Sequence, residues 1–185
     1  MEESDMRLIG TIVALALAAM PAAAIGALRE GAAAPDFTTT GALAGKPFAL
    51  HLRDQLRHGP LVLYFYPKAF TQGCTLEAHA FSDSAAEFKK LGAQVIGMSA
   101  DDQPTLARFS TEHCRNAFPV ATATPETIAA YDVKLKEGAP YASRTSYVIA
   151  PDGKIIYAFS DMDYKSHVAN TMAAVKAWKA KHRRG

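Results

Sequence analysis

Hydrophobic and polar positions along this chain fall into two alternating kinds of stretch. Residues 61–66 (LVLYFY) form an unbroken apolar and aromatic run closed by Pro67, the pattern of a strand buried on both faces of a sheet. Residues 75–91 follow with Leu76, Ala80, Phe81, Ala85, Phe88 and Leu91 at helical spacing, and Gly92 beyond as a stop. Residues 94–99 (QVIGMS) predict a second buried strand, and Asp101 or Asp102 is placed to cap a helix running to about His113. Residues 118–121 make a short strand. Thr124-Pro125-Glu126 is a helix start with proline in the first turn, for a helix to about Tyr131. Residues 145–150 and 154–159 flank Pro151-Asp152-Gly153 and predict a β-hairpin. Ser166 then caps a final amphipathic helix to about His182, burying Val168, Met172 and Val175, with Trp178 as a further candidate. Residues 29–60 mix Gly, Pro and polar positions and offer only short strand pieces around residues 48–50. Strands alternating with helices, then a terminal hairpin and helix, indicate an α/β fold: a mixed central β-sheet flanked by helices.

One stretch does not belong to that pattern. Residues 8–28 (LIGTIVALALAAMPAAAIGAL) carry no charge, with Arg7 before them and the small residues Ala22, Ala23 and Ala24 behind Pro21. That is the order of a secretory signal peptide. The acidic start MEESDM is atypical of such a segment and makes Met6 an alternative first residue. The uncharged run also has about the length that spans a bilayer, but its alanine-rich second half favours cleavage near Ala24. The expected division is residues 1–24 as signal peptide (or N-terminal anchor) and residues 25–185 as one domain. Either outcome exports the domain, to the periplasm or to a membrane surface.

Composition changes this picture little. With 49% hydrophobic and 21% charged residues the chain is an ordinary globular protein. A net charge of +2 gives no field that points to nucleic acid, and the basic residues between Lys176 and Arg184 fit a solvated helix face. There are two cysteines, Cys74 and Cys114. In an exported protein an even count suggests a disulfide, and two cysteines allow one connectivity.

The setting of Cys74 points elsewhere. It lies between a strand end and a helix start, in Pro67-Lys68-Ala69-Phe70-Thr71-Gln72-Gly73-Cys74-Thr75-Leu76-Glu77. The first turn of a helix offers unpaired N–H groups and partial positive charge, so a thiol there ionises more readily and becomes a nucleophile. Gly73 lets the backbone turn tightly beside the sulfur, Thr71 offers a hydroxyl to an oxygen in front of it, and Pro67 removes a competing donor.

The segment YFYPKAFTQGCTLEA resembles the active site of peroxiredoxins, whose pattern is P-x-x-x-T-x-x-C, and it is most similar to the bacterioferritin comigratory protein branch with its G-C-T-x-E-A context. Pro67, Thr71 and Cys74 match residue by residue. SRTSYVIAPDGKI places Arg144 where the family has an arginine at the start of a late strand, and APDF, QVIGMSAD and SHVANTMAAVKAW add support over residues 31–180. The resemblance implies a thioredoxin-like fold and a thiol-dependent peroxidase that reduces hydrogen peroxide or organic hydroperoxides. It implies a sulfenic acid on Cys74, with Arg144 and Thr71 around the peroxide; Glu77 reads either as a supporting partner of Arg144 or as a solvated first-turn acid beside the helix dipole. Recycling would come from a thioredoxin-like or other thiol reductant, with no metal, haem or other cofactor. A monomer or weak dimer is expected.

The chain departs from the pattern where many relatives carry a resolving cysteine five residues on; His79 occupies that position. Cys114, near the end of the helix after Asp102, is the remaining candidate for resolution. A one-cysteine cycle with an external thiol and a permanent Cys74–Cys114 staple are the other readings. His51, His58, His113, His167 and His182 form no metal-ligand spacing with the cysteines, and Asp161 and Asp163 read as turn residues. Two other functions are weighed: thiol–disulfide exchange, which lacks its usual C-x-x-C, and a non-catalytic exported domain with a structural disulfide. Phe70, in the active-site loop, suits either an apolar substrate entrance or a dimer contact.

Overall fold

The computed structural model describes residues 27–182, so the expected leader lies outside the described residues. Strands β1 (Thr38–Leu43), β2 (Lys46–His51), β3 (Leu61–Phe65), β4 (Gln94–Ser99), β5 (Val120–Thr122), β6 (Thr145–Ile149) and β7 (Ile155–Ser160) form one sheet, in the order β2-β1-β5-β4-β3-β6-β7. β3, β4 and β5 run parallel, while the β1–β2 and β6–β7 hairpins add antiparallel strands at either side. Helices α2 (Gln72–Lys90), α3 (Gln103–Glu112) and α5 (His167–His182) supply one face of the core; α1 (Leu52–Leu56) and α4 (Pro125–Ala130) supply the other. The arrangement is a mixed, helix-flanked sheet of the thioredoxin-like kind. No helix among the described residues is long and apolar enough to cross a membrane.

The central strand explains why the sheet has a core on each side. Leu61, Leu63 and Phe65 point into one apolar cluster, with Leu52, Ile96, Ile128 and Tyr147. Val62 and Tyr64, and Tyr66 just beyond, point into the other, with Phe81, Phe88, Phe109 and Val175. Burying one such side chain is worth about 1.5–3 kcal/mol, so a strand buried at every position anchors the fold. Tyr64 stacks on Phe81 with ring centroids 4.4 Å apart. Across the ladder its partner is Gly97, and a Cβ there would come within 2.8 Å of the Tyr64 hydroxyl. Only glycine leaves room for the tyrosine.

Several boundaries move from the expected places. α2 begins at Gln72, which puts Cys74 inside its first turn rather than ahead of it. Leu76 lies on the outer side of that helix and is exposed, not core. Ser166 ends a short 3₁₀ turn (Tyr164–Ser166) capped by Asp163, instead of capping α5 itself. Val168 and Trp178 are half-buried; α5 buries His167, Thr171, Met172 and Val175. β5 starts at Val120, although Phe118 is buried as expected. Thr124 caps α4 through the Thr127 N–H, and Asp102 caps α3 through the Thr105 N–H.

Candidate active site

The site begins where β3 runs out. The Tyr66 N–H still donates to the Met98 carbonyl at 3.0 Å, and Pro67, which has no N–H, ends the ladder. The loop that follows is tied down by Asp101: its Oδ2 accepts from the Ala69 N–H and from the Ser99 hydroxyl, both at 2.8 Å. Asp101 is therefore not the helix cap expected for it but the anchor of the loop. Phe70 holds a left-handed backbone with φ of 63°, a strained conformation for a bulky residue. Its ring stands edge-on to Phe109 and His113, and the Arg108 guanidinium lies 5.0 Å above it. Thr71 occupies the N-cap position of α2 without capping it; its hydroxyl donates to the Lys68 carbonyl at 2.9 Å.

Cys74 is buried in the first turn. Arg144 reaches it from the residue before β6, because the β3–β6 register pairs Phe65 with Thr145 and so brings Arg144 to the end of β3. Nη2 of Arg144 lies 3.5 Å from Cys74 Sγ, Nη1 donates to Glu77 Oε2, and Nε donates to the Met162 carbonyl at 3.0 Å. Each edge of the guanidinium fork thus has its own partner. Gly73 makes room for it: a Cβ there would stand 3.2 Å from Nη2. The glycine expected to allow a tight turn serves instead to clear the arginine.

Glu77, one turn after Cys74, is fully buried. Burial pushes its carboxyl up to about 8, against the pull of Arg144. Burial also works to lower the Arg144 guanidinium, but the charges of Glu77 and Cys74 outweigh it and hold that group above its ordinary range. These directions compete, since the arginine gains from an ionised carboxylate and burial favours a neutral one. The intrinsic strength of the guanidinium as a base decides the matter: Arg144 stays charged and Glu77 is the member that exchanges its proton.

Behind Glu77 stands His167, fully buried at the start of α5. Its Nε2 donates to the Asp161 carbonyl at 2.9 Å, and Nδ1 faces the Ser146 hydroxyl at 2.8 Å and Glu77 Oε1 at 3.9 Å.

Cys114 lies just past α3, fully buried in the same apolar cluster as Cys74. Burial pushes its thiol well up, and its carbonyl accepts from the Ser82 hydroxyl at 2.9 Å. The two cysteines are separate thiols, not a staple. His79 faces not Cys74 but His113, with Nε2 and Nδ1 3.3 Å apart. The Tyr64 and Tyr66 hydroxyls are buried and unpaired, and burial pushes both well above the usual phenol range. Among the described residues no three His, Cys, Asp or Glu side chains gather to hold a metal ion.

The structure therefore brings together Cys74, Glu77 and Arg144, with Pro67 and Thr71 shaping the loop beside them. Asp101 and His167 are the additions. The first was within reach of pattern reading, since it follows the carboxyl end of a parallel strand, where sites in such sheets form. Nothing in the sequence pairs His167 with Glu77.

A mixed sheet of thioredoxin-like kind thus presents a first-turn cysteine to a buried arginine. Residues 31–158 match the AhpC/TSA family, and the chain belongs to it. Peroxiredoxin Bcp of Bacillus subtilis (strain 168) is 36% identical over 121 residues, covering 63% of this chain and 77% of the relative. A putative chloroplastic peroxiredoxin Q of Oryza sativa subsp. indica is 30% identical over 159 residues, covering 82% of this chain and 69% of the relative. Among solved structures, peroxidoxin BcpB from Mycobacterium tuberculosis superposes with a TM-score of 0.73 at 30% identity, over 81% of this chain and 97% of its own. The likeness supports the bacterioferritin comigratory protein branch and a thiol-dependent peroxidase. Thiol–disulfide exchange and a non-catalytic domain find no support in it.

Proposed function

We propose that Cys74 is the residue that attacks the hydroperoxide, with Arg144, Thr71 and Pro67 forming the pocket and Glu77 holding Arg144. The observation that carries this reading is the 3.5 Å approach of the Arg144 guanidinium to the buried first-turn sulfur. The thiolate attacks the terminal peroxide oxygen; the O–O bond breaks, sulfur keeps the OH as a sulfenic acid, and the departing alkoxide or hydroxide takes a proton to leave as alcohol or water. The charge that grows on the leaving oxygen is met by Arg144 and by the N–H groups of the first turn. The Thr71 hydroxyl, exposed and rotatable, orients the incoming peroxide.

The segments around the mouth carry exposed apolar side chains, Phe70, Tyr141 and Met162. This collar favours organic hydroperoxides over hydrogen peroxide alone. For resolution we assign Cys114, which shares an apolar cluster with Cys74; a disulfide between them requires the first turn of α2 to unwind. The Cys114 thiolate displaces water from the sulfenic sulfur, and a thioredoxin-like thiol donor then reduces the disulfide. Direct reduction by an external thiol is the second reading, favoured by the full burial of Cys114 and the upward push on its thiol. The uncharged segment at residues 8–28 argues for export, which places both substrate and reductant outside the cytoplasm.

Mass spectrometry after a few equivalents of peroxide tests the cycle. Wild type is expected to give a Cys74–Cys114 disulfide, Cys114→Ser a sulfenic acid on Cys74, and Cys74→Ser no peroxide consumption. Normal consumption by Cys74→Ser would sink the assignment. Turnover of Cys114→Ser with a small thiol at the wild-type rate, and no disulfide in wild type, would select the one-cysteine cycle.

A further inference from the structure

We propose that His167 is a positioning residue of the peroxidase site, holding from behind the Glu77–Arg144 pair that aims a guanidinium at Cys74. The inference rests on the assignment of Cys74 and Arg144 above and adds a residue to it.

Three contacts lead there. The Asp161 carbonyl can only accept, so Nε2 of His167 carries the ring proton in the 2.9 Å bond between them. In the neutral ring Nδ1 is then an acceptor, and the Ser146 hydroxyl donates to it at 2.8 Å. The tautomer is fixed on both sides, and burial lowers the ring's readiness to take a second proton. This fixed lone pair faces Glu77 Oε1 across 3.9 Å. Oε1 is itself buried and without any hydrogen-bond partner, while Oε2 is taken by Arg144.

A buried carboxyl oxygen left unpaired is costly. A proton on Oε1 relieves that cost: once the Ser146 hydroxyl turns away from the single Nδ1 lone pair, closing the gap by about 1 Å makes a hydrogen bond from Glu77 to the ring. His167 is thus chemically fitted to receive the proton that Glu77 exchanges. It also fixes the backbone on the other side of the arginine. The Asp161 that His167 grips is followed by Met162, whose carbonyl accepts from Arg144 Nε, and the Asp161 N–H donates to the Arg144 carbonyl at 3.2 Å. Glu77 and Met162, the two groups that hold the guanidinium, therefore both lie next to the same imidazole. The remaining surroundings are the Phe159 ring, edge-on at 4.8 Å, and the charges of Arg144, Asp161 and Asp163.

A histidine that merely opens α5 would affect stability alone. A positioning histidine affects the chemistry of Cys74 even in a folded variant. The test measures, for wild type, His167→Ala, His167→Gln and Ser146→Ala, the second-order rate of Cys74 oxidation by peroxide and the pH profile of Cys74 alkylation by iodoacetamide. Circular dichroism checks folding. In His167→Ala the peroxide rate is expected to fall about tenfold or more, and the alkylation profile to move to higher pH by about one unit, equivalent to that tenfold change. His167→Gln, whose amide can still donate to Asp161, is expected to recover part of both. Should His167→Ala fail to fold, Ser146→Ala decides: it leaves the Nδ1 lone pair to Glu77 alone without removing the ring, and a smaller shift in the opposite direction is expected. Folded variants with wild-type rate and profile would overturn the role of His167 and leave Cys74 and Arg144 untouched. Normal activity in Cys74→Ser would instead overturn the underlying assignment.

Discussion

Glu77 is the side chain on which burial and charge compete most directly. Its carboxyl has no exposure and its proton affinity in the folded chain is raised from 4.5 to about 8. A folded-state value above the unfolded one means that the native chain holds this proton longer. The contribution is complete below the unfolded value and is lost as pH rises towards the folded one. Wild type is therefore expected to lose stability between about pH 4.5 and pH 8, by an amount on the order of a few kcal/mol. Glu77→Gln keeps an acceptor for Arg144 and should flatten that slope; urea unfolding at pH 5 and pH 8 compares the two. An equal slope in both proteins would show that Glu77 is ionised throughout. At this scale the sequence exposes what is contiguous. Pro67, Thr71 and Cys74 sit within one short segment and carry their own signature, whereas Arg144 needed a family resemblance to be linked with them. Asp101 and His167 acquire their roles only through contacts that the sheet order and the packing of α5 create.

Among the elements, α2 carries the site and α3 braces it. The brace is the His79–His113 contact, which persists as a hydrogen bond only while at least one ring is neutral. His79 is lowered by burial and then by Arg115 and His113, with Asp83 opposing. As pH falls, His79 takes its proton late, below the ordinary imidazole range, and the charge it gains beside Arg115 and His113 weakens the contact between the helices. Amide exchange in the first turns of α2, corrected for its intrinsic pH dependence, is expected to quicken about two- to tenfold between pH 7 and pH 5. His79→Asn should remove the pH step; an identical step in that variant would refute the brace. The legible elements are those whose burial is one-sided or total, such as β3, β4, the β6–β7 hairpin and α2. β1 (TTTGAL) was not, and β2 (KPFALH) showed only around residues 48–50, because few of their positions are buried and the alternation that marks a strand is weak. α1 has five residues, too few for a helical period to show.

For the molecule as a whole, the sheet divides the core, and the half containing Tyr64, Phe81 and Phe109 also contains both cysteines. Packing defects there are felt at the site. Gly97→Ala forces a methyl against the Tyr64 ring and is expected to destabilise by about 1–3 kcal/mol, measured by urea unfolding. A neutral result would mean that the tyrosine has another place to go. The same architecture separates the reacting partners widely along the chain. Cys74 and Arg144 are 70 residues apart and meet only once β6 has paired with β3. Such long-range pairing comes late in folding. A chain in which β6 has not yet paired therefore holds Cys74 without the Arg144 guanidinium beside it. On the cycle proposed above, the completed fold acts as a safety catch, bringing guanidinium and sulfur together only when the rest of the site is in place.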